Sequence, residues 1–253
     1  MINSNNDDHL FTVSSSEMDF LTLIEHEYRP PIAFKNKQAL VSWTNENCLN
    51  IEPLGKRDID NVALVHGDIC LWGGDIRLSY RQIWANINYD YYRSAMKFNI
   101  LRTEGSLKTV HLYDGDHAVS KKRLGDCWPD AWVNMILVES SLNQSIGAMM
   151  EKDPLELTPD QEQIGLNAEC TLKTFLRREG SLTKSEIREY LAQARNRFIS
   201  IQKPPAEILT GQEALDAIEL RTMAENANGF FDQLTRELKI DLLDFDSTPL
   251  LIR

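Results

Sequence analysis

The sequence predicts an α+β protein that is mostly helical, with a small strand–strand–helix unit near its middle. Three observations predict it. Lys108 to Asp153 reads as two short β-rich runs followed by one stripe of helical spacing. Ser79 to Phe98 places Ile83, Trp84, Ile87, Tyr91 and Met96 along a rough apolar face of helical period. The C-terminal part repeats a helix-start signal, Thr-x-x-Glu, at Thr183 with Glu186 and at Thr210 with Glu213. Four regions follow: a disordered tail over 1–18, an N-terminal mixed α/β region over 19–107, the central unit over 108–153, and a C-terminal helical region over 154–253.

Taken in order, the tail is rich in Asn, Ser and Asp. Asp19 to Tyr28 has helical spacing and is stopped by Arg29-Pro30-Pro31, with His26 as a surface residue. Lys35 to Asn50 fits a helix or a strand. Asn61 to Trp72 reads as two apolar runs around a turn-like His66-Gly67-Asp68, and Gly73-Gly74-Asp75 adds a hairpin signal. His66 and Asp68 read as a turn pair in preference to metal ligands. The tyrosines and tryptophan of 79–98 have two readings: stacking on nucleic-acid bases beside Arg81, Arg93 and Lys97, or packing as a helix in the core, which is favoured.

In the central unit, Thr109 to Tyr113 is a strand candidate and Asp114-Gly115-Asp116 a polar turn that delivers His117. Val133 to Val138 is the second strand candidate. Ser141 to Glu151 is the helix, with Ser140 or Ser141 as its cap. After Pro154, Pro159 can open a helix capped by Thr158, and Asp160 to Arg178 reads as mostly helical. Thr183 to Phe198, Thr210 to about Ala224 and Phe230 to Lys239 complete the helical series.

The order strand, loop, strand, helix, with Asp116-His117 after the first strand, Asn134 opening the second and Asn143 in the helix, resembles the HNH (His-Me finger, ββα-metal) endonuclease family in its HNN-type variant. The resemblance spans 108–153, and the nine-residue interval from Asn134 to Asn143 is its most telling spacing. It implies a ββα-metal unit in which Asp116 and Asn143 hold one Mg²⁺ or Mn²⁺ ion, with Asp114 as a further donor. His117 would be the general base and Asn134 the residue that positions it. The chemistry is coherent. One hard cation stabilises the transition state and the leaving oxygen, and a neutral imidazole takes the proton of the attacking water. Lys121, Lys122 and Arg123 would contact backbone phosphates. The implied activity is cleavage of phosphodiester bonds, in DNA or RNA, in a setting such as restriction or phage defence.

Composition bounds these readings. The chain has 253 residues, 42% hydrophobic and 26% charged, as expected for a globular protein with a sizeable core. No apolar run reaches the roughly eighteen residues of a membrane span. The N-terminus MINSNNDDHLF does not read as a secretory signal. Cys48, Cys70, Cys127 and Cys170 form no C-x-x-C pair, which suits reduced thiols in the cytoplasm. A net charge of −11 opposes general affinity for nucleic acid. Locally, Arg93 to Leu124 holds seven basic residues against three acids, net +4. An acidic chain could receive its substrate from a partner protein. The competing expectation is a non-catalytic helical interaction subunit of a multiprotein complex; an RNase toxin on the same metal unit is a third.

Overall fold

The computed structural model describes residues 28–54, 60–71, 76–96, 113–124, 127–150, 154–167, 169–170, 173, 183, 185–186, 189 and 229. The helices expected over 210–224 and 230–239 lie outside the described residues, as do all but Tyr28 of the helix expected over 19–28 and all but Tyr113 of the strand expected over 109–113. Two compact units are present. One holds 1–19 and 29–181, the other 20–28 and 182–253.

The first unit corrects the expected fold class. It is organised on a curled seven-stranded antiparallel sheet and is not mostly helical. The strands are β1 (Pro31–Phe34), β2 (Asn50–Pro53), β3 (Val62–Leu71), β4 (Ile76–Asn86), β5 (Tyr113–His117), β6 (Trp132–Glu139) and β7 (Gln163–Gly165). Helices α1 (Lys37–Glu46), α2 (Lys121–Leu124) and α3 (Ser140–Met150) lie between them, and residues 92–96, between β4 and β5, are helical, as expected for the end of 79–98. The sheet order is β2-β3-β4-β6-β1-β7, and β5 pairs with β6. In register, Met135 of β6 faces Ile83 of β4 and His117 of β5, whereas Val133 faces Ala85 of β4 and Ala33 of β1. Strands β1 and β5 therefore follow one another along the same side of β6, opposite β4.

The misread stretches differ in cause. From Gln82 to Ala85 every residue of β4 is buried, so apolar side chains fill both faces and the period-two alternation that marks a half-buried strand is lost. What remains looks like a helical stripe. His66-Gly67-Asp68 is no turn but the middle of β3, with Gly67 facing Tyr80. Gly67 has φ +146°, and a β-carbon there would lie 2.9 Å from Leu49 Cδ2. The glycine is required by a close approach across the sheet, not by a chain reversal. Asp114-Gly115-Asp116 also belongs to a strand, paired with Val138, Leu137 and Ile136. The helix expected over Asp160 to Arg178 is replaced at its start by β7, which pairs with β1.

The resemblance to HNH endonucleases is overturned by the same topology. Strand β5, helix α2, strand β6 and helix α3 do follow in sequence. Yet β6 is an interior strand with three strand partners, buried from Trp132 to Val138. A self-contained ββα-metal unit would leave it with one. Strands β5 and β6 belong to a larger sheet.

Each sheet face has its own core. Val62, Leu64, Ile83, Ala85, Met135 and Leu137 share one face with Leu54 and Met96, and Tyr89, Tyr92 and Ala95 pack against them. Trp84, Tyr80 and Phe34 occupy the other, where α1 brings Trp43. The ring centroids of Phe34 lie 5.1 Å from Trp84 and 5.5 Å from Trp43. Helix α1 starts where Asn36 Oδ1 accepts a hydrogen bond from Ala39 N at 2.9 Å. Helix α3 is capped by Glu139, not by Ser140 or Ser141. Its carboxylate accepts from Ser141 N at 3.1 Å and from Leu142 N at 2.8 Å. A carboxylate at a helix start also meets the positive end of the helix dipole.

In the second unit, Thr183 and Glu186 form the reciprocal capping box that their spacing predicts. Thr183 N donates to Glu186 Oε2 at 2.8 Å, and Glu186 N donates to Thr183 Oγ1 at 3.3 Å.

Candidate functional site

Strand β5 carries the residues singled out by the sequence, and alternation divides them. Successive side chains of a strand point to opposite faces. Asp116, opposite Ile136, therefore faces away from His117, opposite Met135. Neighbours in sequence look into different surroundings.

On the Asp116 side, four charges alternate in sign. Lys173 Nζ donates to Asp116 Oδ2 at 2.7 Å and to Glu169 Oε1 at 3.0 Å. The other oxygen of Glu169 accepts from Arg123 Nη1 at 2.9 Å. The side chains of Lys173 and Glu169 are 0% exposed, those of Arg123 and Asp116 18% and 20%. Two buried charges are tolerable because each is met by an opposite charge at hydrogen-bond distance. Arg123 comes from α2, whose carbonyl at the same residue accepts from Leu155 N at 2.8 Å. Helix α2, strand β5 and residues 155, 169 and 173 are thereby tied together.

The His117 side is aromatic. The imidazole lies 4.5 Å, centroid to centroid, from the ring of Tyr92, and its Nε2 is buried. The guanidinium of Arg93 sits 5.9 Å from the Tyr92 ring centre. At Gly115 a β-carbon would meet Met96 Sδ at 2.7 Å, so the absence of a side chain lets this segment settle on the strand. Further along, Lys121 Nζ donates to Asn88 Oδ1 at 2.6 Å, and Asn88 Nδ2 to the carbonyl of Pro129 at 2.7 Å. The segment 88–96 thus runs beside β5 and α2, with Asn88 at Lys121, Tyr92 at His117, and Arg93 with Met96 at Gly115.

Asn134 is fully buried, with Nδ2 3.5 Å from Gln82 Oε1. It faces the Trp84 side of the sheet, away from His117. Its backbone carbonyl does hold the chain after His117, by accepting from Ala118 N at 2.8 Å. Asn143 is half-buried in the first turn of α3. Of the three cations expected to meet phosphates, Arg123 is held by Glu169, Lys121 bonds to Asn88, and Lys122 is exposed. At Asp116 the oxygen Oδ2 is already taken by the Lys173 ammonium. Among the described residues no three His, Cys, Asp or Glu side chains gather in a way that holds a metal.

Sequence reasoning missed Glu169 and Lys173, and it read Tyr92 as an aromatic of 79–98 without placing it at His117. The Glu169-x-x-x-Lys173 spacing is visible as a helical ion pair, but such pairs are ordinarily solvated. Nothing in the sequence announces that this one is buried or that its third member is Asp116.

Comparison with known proteins yields no matching family model, no matching curated protein and no matching solved structure.

Proposed function

We propose that the protein is a non-catalytic interaction subunit of a larger assembly. The observation that carries this is the chain of paired charges Asp116, Lys173, Glu169 and Arg123. Two of the residues expected to do chemistry spend their charge on holding the fold. His117 Nε2 is buried, with the Tyr92 ring beside the imidazole, and Asn134 is inside the sheet. The net charge of −11 favours a partner with a basic surface. No helix among the described residues is long and apolar enough to cross a membrane, and three of the four free cysteines are exposed, which suits the reducing cytoplasm.

The test sets this reading against the endonuclease one. The full chain is incubated with supercoiled plasmid and with single-stranded RNA, with and without Mg²⁺ or Mn²⁺. No cleavage is expected. Co-expression with the products of adjacent genes should give a stable complex of defined mass. Cleavage by the wild-type chain that is lost in His117→Ala or Asp116→Asn overturns the proposal.

A further inference from the structure

We draw no further inference here: the strongest candidate, the outer edge of the sheet where β3 runs on past its pairing with β2 and leaves Asp68 and Cys70 exposed, carries nothing because no observation shows what covers it.

Discussion

The two faces of β5 use the same strand in opposite ways. One face closes on itself: four charges cancel in pairs, and the middle two are wholly withdrawn from water. The other is covered by residues 88–96, of which Tyr92 and Ala95 pack on the sheet while Tyr91 stands exposed. A closed face commits its residues to the fold. A covered face with an unburied rim keeps some of them available. Function is therefore sought on the second, although the first holds more of the ionisable groups that chemistry would want.

The comparison breaks most readily at its centre. Lys173→Met removes the cation between two carboxylates and should destabilise the protein by about 3–5 kcal/mol, measured by urea denaturation. If the loss is under 1 kcal/mol, the chain of charges is not what closes that face. Replacing all four members with apolar residues of similar volume should cost much less than the single change, since buried ion pairs contribute little over well-packed hydrophobics. On the other face Gly115→Ala drives a methyl group toward Met96 Sδ, placed at 2.7 Å. The thioether can swing aside, so the cost should be about 1 kcal/mol, read as a lower melting temperature. Tyr91→Ala should change stability by no more than about 0.5 kcal/mol, because so exposed a ring has little to lose.

The smallest effect lies on neither face and serves as a control. The carboxyl of Asp160 is held below its ordinary range, first by a hydrogen bond from the Thr158 side chain and then by its own backbone. A carboxyl whose folded pKa is depressed contributes stability above the unfolded pKa and loses it as pH falls through the folded one. Thr158→Val should move the Asp160 midpoint up toward the ordinary value, seen in an NMR titration of its side-chain carbon. The melting temperatures of the two β5 faces' variants should not follow it.

Parts of this were legible in the sequence. Val133 to Val138 and Ser141 to Glu151 announce β6 and α3 to within one residue at most boundaries, since a short apolar run and a long periodic one are unambiguous there. Thr183 with Glu186 announces its own capping box because the signal is local. β4 was illegible. Burial on two faces is a property of the assembled sheet, and no window of sequence records it. The same limit applies to the site. Asp116 and His117 attract attention as a pair, whereas the sheet separates them, and the partner of Asp116 lies at Lys173. Helix α3 shows a milder form of the error. Two serines advertise a cap, but Glu139, the last strand residue, supplies it.

The charge chain also fixes how β5 is threaded. Were the strand displaced by one position against β6, Lys173 would meet an imidazole or a glycine where it now meets a carboxylate. Were it displaced by two, Asp114 or Ala118 would come to the ammonium, and a side chain would replace the bare backbone at Gly115 on which Met96 rests. An electrostatic match on one side and a steric gap on the other together leave the strand a single alignment.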